Sequence, residues 1–198
     1  MCIRDRYNLS ENEFRMLKYT DAHDLPGHLN RLDGANVSVK SSGNRKLVCM
    51  GNPFRIFEST GPLHMIVVFY TQDGNVKRLD EIIKIDLTDA KSILFGTNTF
   101  EDMTNLETII KSVPSGRRQT PEEKMRIEEI KRRMNAQSGA LVFNPKVDSK
   151  TQRRLQCSFN LFQKFIEAHP TRVLPISIGA ARVVREIASR TRIRLGPR

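Results

Sequence analysis

Apolar and polar positions alternate along residues 36–40, whose sequence is Asn-Val-Ser-Val-Lys. A period of two over this length is typical of a β-strand with one buried face, and the Ser-Ser-Gly that follows is typical of a turn. The pattern therefore predicts a short strand that has its two valines on the buried face. Ser38 and Lys40 then lie on the polar face, close to the end of the strand.

Other runs predict the rest of a sheet. The run from His64 to Tyr70 is continuously apolar, β-branched or aromatic, which is typical of a strand buried on both faces. Asp73-Gly74 predicts a hairpin turn, after which residues 82–87 alternate again. Two shorter apolar pieces, residues 46–50 and residues 140–143, are further strand candidates, and the second should end at Asn144-Pro145.

Helices are predicted where apolar residues recur every three or four positions after a capping residue. Thr120-Pro-Glu-Glu123 is a capping box, and the helix that it opens should extend to about Asn135. Asn52-Pro53 predicts the start of a short helix that ends at Glu58. The other helical predictions cover residues 8–19, 89–95, 104–111, 158–168 and 179–190. Together these elements predict an α/β fold with a central mixed β-sheet flanked by helices, and a basic, largely helical C-terminal part.

Composition limits the classes of protein to consider. A chain of 198 residues with 38% hydrophobic residues is long enough for one domain with a sizeable core. The apolar run at residues 65–70 is far too short to span a bilayer, so we expect no membrane partner. Three widely spaced cysteines fit a reducing compartment, which favours a cytoplasmic protein without a disulfide framework or a zinc site. Residues 1–6, Met-Cys-Ile-Arg-Asp-Arg, resemble a translated sequencing adapter, so we treat them as a non-native artefact and expect the natural start elsewhere.

Positive charge is concentrated towards the C-terminus. The net charge is +11, and residues 146–198 contain 12 Lys or Arg against 3 Asp or Glu. A strongly basic chain favours a polyanionic partner. Arg and Gln side chains pair bidentately with guanine and adenine edges. We therefore predict nucleic-acid binding, with DNA contacts from the dense segment that holds Lys150, Gln152, Arg153, Arg154 and Gln156.

The strand Ser38-Val-Lys40, followed by a helix that carries Glu58 and then by a buried strand, resembles the PD-(D/E)xK nuclease superfamily. Type II restriction endonucleases are its best-known members. In that superfamily an aspartate and a second carboxylate hold Mg²⁺, and a lysine two residues beyond the second carboxylate helps to activate water. Here a serine stands in place of that carboxylate. The sequence is similar to a subgroup in which the strand reads Ser-x-Lys and a helix glutamate supplies the missing acid.

The resemblance covers roughly residues 24–87. It implies catalytic roles for Lys40, Ser38 and Glu58, and it implies that Glu58 is also a metal ligand. The subgroup's glutamate falls about one helical turn nearer the lysine than Glu58 does. Two residues are candidates for the first aspartate, and the alternative is that this aspartate lies upstream of the sequence given. Asp24, fourteen residues before Ser38, has the more usual separation, whereas Asp33 lies at the entrance of the strand and is equally well explained as a turn residue before Gly34.

The implied function is Mg²⁺-dependent hydrolysis of double-stranded DNA by an endonuclease of restriction type, acting as a homodimer. Residues 7–112 would form the nuclease-like core, and residues 113–198 would form a DNA-binding part packed on it. Further candidate phosphate contacts are Asn44, Arg45, Arg55, Arg117 and Arg118.

The alternative is a non-catalytic nucleic-acid-binding protein, such as a viral or phage nucleoprotein. In that case Lys40 is a charge on an edge strand that discourages pairing with other chains. The two hypotheses predict different spatial arrangements, because only the nuclease needs Lys40, Glu58 and one of the two aspartates close together.

Overall fold

The structure is a computed structural model that describes residues 7–17, 23–43, 47–74, 76–147, 152–176 and the backbone of residues 187–188. The strands in chain order are β1 (Asn36–Ser42), β2 (Val48–Gly51), β3 (Leu63–Asp73), β4 (Val76–Asp86), β5 (Leu141–Val147), β6 (Arg153–Phe159), β7 (Val173–Leu174) and β8 (Ile187–Ala188). The helices are α1 (Glu11–Met16), α2 (Pro53–Phe57), α3 (Lys91–Phe95), α4 (Phe100–Ser112), α5 (Pro121–Gln137) and α6 (Phe162–Ala168).

These strands form two sheets. The first has the order β1-β3-β4-β7, with β8 also paired to β4, and the second has the order β2-β6-β5. The first sheet is mixed, because β1 runs parallel to β3 while β4 runs antiparallel to β3. A parallel pair needs a crossover connection, and here that connection contains β2 and α2. The predicted α/β class with a mixed sheet flanked by helices is therefore confirmed.

Two apolar clusters cover the two faces of the first sheet. The larger one joins β3 and β4 to the second sheet and to helices α3–α6, and it includes fully buried Met65, Val67 and Phe143. The smaller one packs the N-terminal segment against the opposite face, where Leu25 contacts the cluster that contains Val37 and Ile66. Since β3 contributes to both clusters, the prediction that this strand is buried on both faces is confirmed.

Local capping explains where the longer helices begin. The Thr120 hydroxyl accepts a hydrogen bond from the Glu123 N–H at 3.2 Å, and the Glu123 carboxylate accepts one from the Thr120 N–H at 2.8 Å, as the predicted capping box requires. A second capping box, at Ser10, opens α1, which is shorter than the predicted helix over residues 8–19. None of the helices within the described residues is both long enough and apolar enough to cross a membrane.

The C-terminal part differs from its prediction. Residues 153–159 are a strand, and helix α6 begins only at Phe162, so the helix predicted over residues 158–168 starts too early. The physical reason is a period of two along Leu155, Cys157 and Phe159, which are all buried on one face of β6.

Strand β5 also continues through Pro145, where the sequence predicted its end. It lies at the edge of the second sheet, where a residue without an N–H is tolerated. The helix predicted over residues 179–190 lies outside the described residues except for residues 187–188, which are paired as β8.

Candidate functional site

A cavity of about 490 Å³ opens where β1 approaches β2, α2 and β6. Polar side chains from four separate parts of the chain line it. Six of the residues selected from the sequence are among them: Asp24, Ser38, Lys40, Arg55, Arg154 and Gln156. We take this cavity as the candidate functional site.

Strand β1 points Ser38 and Lys40 towards the cavity. In the parallel pairing with β3, Ser38 lies beside Met65 and Lys40 lies beside Val67. Val37 and Val39 belong to the smaller apolar cluster on the opposite face of the sheet. The alternation predicted for this strand is therefore confirmed. The Lys40 side chain is half-buried, and no carboxylate of the described residues forms an ion pair with it.

Asp24 is held directly beside these two residues. Leu25 forms an antiparallel bridge with Val37, in which each N–H donates to the other residue's carbonyl oxygen at 3.0 and 2.8 Å. The next contact along this edge is the Asp24 carboxylate, whose Oδ2 accepts a hydrogen bond from the Val39 N–H at 2.7 Å. An aspartate that is distant in sequence is thereby fixed next to the residue between Ser38 and Lys40.

His23 lines the same cavity. Partial burial lowers the pKa of His23 below its ordinary value, and the positive charge of Lys40 lowers it further, although the negative charge of Asp24 acts in the opposite direction. The imidazole is therefore mainly neutral at pH 7, so it adds little to the positive charge of the site.

Glu58 lies outside the cavity wall. It follows the last residue of α2, its N–H donates to the Phe54 carbonyl at 2.8 Å, and its side chain is exposed. The structure therefore brings Lys40 and Asp24 to one cavity and does not add Glu58 to them.

Asp33 lies on the opposite face of the first sheet. Its carboxylate accepts a hydrogen bond from the Lys84 ammonium at 2.7 Å and from the Asn30 amide at 2.5 Å. Burial alone would raise the pKa of Asp33, but the Lys84 contact and the Ala35 N–H outweigh it and hold the pKa below its usual value. These contacts hold the loop that precedes β1 against strand β4.

His64 belongs to the same group, with its Nδ1 3.3 Å from Asp33 Oδ2. That contact lacks hydrogen-bond geometry, and Nδ1 is buried without a partner. Burial, followed by the positive charge of Lys84, lowers the pKa of His64, and these effects outweigh the opposing charges of Asp33 and Asp86.

Two side chains of β6 reach the cavity. Arg154 and Gln156 are two residues apart and therefore share one face of the strand. When the Gln156 amide is turned so that its oxygen faces Arg154, that oxygen accepts hydrogen bonds from Nη2 and Nε at 3.1 and 3.2 Å. Strand pairing places Lys146 next to Arg154 and Asn144 next to Gln156, so this face of the second sheet is polar and basic.

Arg153 points to the other side of β6, where it holds the connection between α4 and α5. Its guanidinium donates to the carbonyl oxygens of Val113 at 2.9 Å, Pro114 at 2.7 Å and Arg117 at 3.2 Å. Arg117 in turn pairs bidentately with Glu123 at 2.8 and 2.6 Å, which lowers the pKa of Glu123 to about 2. These two arginines therefore have structural contacts.

The other predicted DNA contacts are placed as follows. Arg118 and Gln152 have exposed side chains. Asn44, Arg45 and Lys150 lie outside the described residues.

The cavity offers one carboxylate, that of Asp24, as a possible ligand for Mg²⁺. Within the described ranges, no group of three or more His, Cys, Asp or Glu side chains is placed to hold a metal ion. Mg²⁺ is often bound through only one or two carboxylates, with water and substrate phosphates as the other ligands. The carboxylate of Asp24 fits that pattern as a single protein ligand.

An apolar floor of the cavity was not predicted from the sequence. It consists of Met50, Ile56, Leu63, Met65, Leu87 and Leu155. Leu63 and Met65 belong to β3, and the other four residues belong to β2, α2, β6 and the segment after β4, so nothing local in the sequence shows that they meet. A long-range contact of this kind has no signal in a single sequence.

Comparisons with known proteins found no match for this chain among protein-family models, curated proteins or solved structures.

Proposed function

We propose that this protein is a Mg²⁺-dependent DNA endonuclease of restriction type that hydrolyses phosphodiester bonds in double-stranded DNA. The observation that supports the proposal is the meeting of Asp24, Ser38 and Lys40 at one cavity, with the Asp24 carboxylate fixed on the Val39 N–H at 2.7 Å. An aspartate beside the lysine strand is one part of the arrangement that the nuclease resemblance implies, and the helix glutamate, Glu58, lies outside the cavity. Because such enzymes cut two strands at symmetric sites, the proposal includes a homodimer.

Four residues of the cavity have a role in the proposed reaction. Asp24, together with phosphate oxygens of the DNA, would hold Mg²⁺, and the bound ion polarises the scissile phosphate. The Lys40 ammonium places a positive charge next to the attacking water and the charge that develops on the phosphate. Arg55 and Arg154 bind neighbouring phosphates and so position the strand. Glu58 is retained as the candidate second carboxylate, which the helix-borne glutamate of the subgroup suggests.

Cleavage of a mixed-sequence plasmid with Mg²⁺, and then with EDTA, tests the proposal. We expect Lys40→Ala and Asp24→Asn to abolish cutting, and we expect Lys40→Ala to leave DNA affinity largely intact, because one of several cations is lost. Lys124→Ala on the exposed side of α5 and Asp73→Asn at the β3–β4 hairpin are matched controls that should cut normally. Cutting by Lys40→Ala at the wild-type rate would overturn the proposal.

Glu58→Ala tests the second carboxylate separately. If Glu58 reaches the metal when DNA is bound, this variant needs a higher Mg²⁺ concentration for half-maximal cutting. The measurement is the cleavage rate over a Mg²⁺ series for both proteins. An unchanged Mg²⁺ dependence would remove Glu58 from the site and leave Asp24 as the protein ligand.

A non-catalytic nucleic-acid-binding protein is the second candidate function. It is favoured by the charge of the cavity, where the described lining residues include Lys40, Arg55 and Arg154 but only one carboxylate, Asp24. Such a protein binds DNA with strong salt dependence. It does not cut DNA, whichever divalent ion is added. Asp24→Asn distinguishes the two functions, because it should tighten DNA binding by the non-catalytic protein and abolish cutting by the nuclease.

A further inference from the structure

The accessible wall of the cavity is mainly polar and positively charged. Five of its apolar lining residues are each at most 6% exposed, so they offer a ligand little surface. The charged residues of the lining are three cations, Lys40, Arg55 and Arg154, and one carboxylate, Asp24, so their net charge is +2 while His23 is mainly neutral. Such a cavity favours a small anion that carries more than one negative charge.

Lys40 has no anionic partner among the described residues. Its side chain is half-buried, and no carboxylate of those residues forms an ion pair with it. The carboxylate of Asp24 instead accepts a hydrogen bond from the Val39 N–H at 2.7 Å. Burial removes part of the hydration of an ammonium group, and a paired anion compensates for that loss. An anion that enters the cavity from outside would supply the pairing.

The three cations reach the cavity from three different elements. Lys40 lies on β1, Arg55 on α2 and Arg154 on β6. In its contact with Gln156, Arg154 donates through Nη2 and Nε, so Nη1 lies outside that contact. A phosphate monoester has three non-bridging oxygens and a charge close to −2, whereas a diester within a strand has two such oxygens and a single charge. The number and the net charge of the lining groups therefore fit the monoester better than the diester.

We propose that the cavity binds the terminal phosphate of a nucleic-acid strand in preference to a phosphate within the strand. Strand pairing places the exposed Lys146 beside Arg154, so the basic surface continues from the cavity onto the second sheet, where the next phosphates of the strand can lie. The proposal rests on the proposed function only in that it takes the ligand to be a nucleic acid. In the proposed nuclease this group is the product, because hydrolysis of a phosphodiester leaves a monoester on one strand end.

Titration of the wild-type protein with oligothymidylates in EDTA tests the proposal without any variant. Two ligands are a short strand with a 5′-phosphate and the same strand with a 3′-phosphate. The third is an unphosphorylated strand two nucleotides longer, which has about the same total charge. We expect one phosphorylated strand or both to bind roughly tenfold tighter than the longer strand, because an additional charge-assisted hydrogen bond contributes on that scale. Equal affinities of all three strands would overturn the proposal.

Ribose 5-phosphate is a fourth ligand, which shows whether the rest of the strand contributes. It carries a phosphate monoester but no further nucleotides. We expect it to bind at least roughly tenfold more weakly than the better phosphorylated strand, because it makes no contact with the basic surface beyond the cavity. Equal affinity would overturn the assignment to a strand end, since a small phosphorylated molecule would then be a sufficient ligand.

A matched pair of variants locates the terminal phosphate. Lys40→Ala and Lys124→Ala each remove one positive charge, but Lys124 lies on the exposed side of α5, away from the cavity lining. We expect Lys40→Ala to abolish the preference for the phosphorylated strand and Lys124→Ala to preserve it. A Lys40→Ala protein that keeps the full preference would place the phosphate elsewhere and overturn the proposal. Thermal unfolding shows whether each variant is folded, and the wild-type titration decides alone if Lys40→Ala is not.

All of these titrations are made in EDTA, so their outcome is independent of cleavage. A protein that prefers a phosphorylated strand but cuts no plasmid with Mg²⁺ supports the terminal-phosphate site and overturns the nuclease. A protein that cuts plasmid but shows no such preference supports the nuclease and overturns the terminal-phosphate site.

Discussion

Arg153 and Arg154 lie next to each other in β6 and point to opposite faces of the second sheet. Arg153 donates to three backbone carbonyl oxygens between α4 and α5, while Arg154 lines the cavity together with Gln156. Side-chain alternation along a strand produces this division. The two arginines therefore serve different purposes, one in the fold and the other in the candidate site.

Alanine substitution should separate the two roles. We expect Arg154→Ala to cost about 1–3 kcal/mol of binding free energy against one specific DNA site and much less against random DNA. Arg153→Ala should instead lower the free energy of unfolding by about 1–2 kcal/mol, because one partly buried and two exposed carbonyl oxygens lose a charged donor. Salt titrations on both duplexes and urea unfolding measure the two effects. Equal losses of DNA binding in both variants would show that this strand is only an electrostatic patch.

At the scale of elements, helices and strands that are specified by a few adjacent residues were predicted correctly. An element boundary that depends on pairing with distant strands was not. The capping box at Thr120 and the alternation around Ser38 depend on a few adjacent residues, so both were predicted correctly. The predicted helix boundary near Phe159 was wrong, because the phenylalanines from Phe159 onwards also fit a helical spacing. Residues 153–159 form a strand because they pair with β2 and β5.

The loop of residues 30–35 is joined to β4 by an ion pair. Lys84 of β4, with a side chain only 8% exposed, binds the Asp33 carboxylate, and Asp33 also accepts from Asn30. Because this loop connects the Asp24 segment to β1, the ion pair supports the candidate site from the opposite face of the sheet. Removal of the lysine would leave the partly buried Asp33 carboxylate without its charged partner.

Substitution of Lys84 should therefore destabilise the protein. We expect Lys84→Ala to lower the free energy of unfolding by roughly 2–3 kcal/mol, which is less than for a fully buried pair because Asp33 is partly exposed. The double change Lys84→Met with Asp33→Asn removes both charges and keeps most of the volume, so it should be less destabilising than Lys84→Ala. Urea unfolding measures both. A double variant that is the less stable of the two would show that packing, and not the unpaired charge, dominates.

At the scale of the whole molecule, the site is assembled from segments that no local pattern connects. Asp24, Ser38 and Lys40, which line one cavity, were selected as candidates from the sequence, because the resemblance implies the residue types and their approximate separation. The positions of Glu58 and Asp33 were not predictable in the same way. Glu58 depends on where α2 ends, and Asp33 depends on a lysine 51 residues away.

The whole molecule should also lose stability in acid, first through its histidines. Burial lowers the pKa of both His23 and His64 below the ordinary value of about 6.5, so below that pH the unfolded chain binds more protons than the folded one. The free energy of unfolding must then decrease as the pH falls from 7 towards 5. The carboxylates of Asp33, Asp102 and Glu123 act with the same sign at lower pH, because their pKa values are lowered and their stabilisation is lost as they are protonated.

Thermal unfolding midpoints between pH 7 and pH 4 test this expectation. The midpoint should decrease continuously over the range, and His64→Gln should flatten the part between pH 7 and pH 5, because the unfolded chain no longer gains a proton there. His28→Gln is the matched control, since His28 is exposed, and it should leave the curve unchanged. A midpoint that is constant or rising from pH 7 to pH 5 in the wild-type protein would contradict the argument, as would equal flattening by both substitutions. The first result would mean that the two partly buried imidazoles accept protons in the folded state as readily as in the unfolded chain, with Asp24 and Asp33 compensating for their burial.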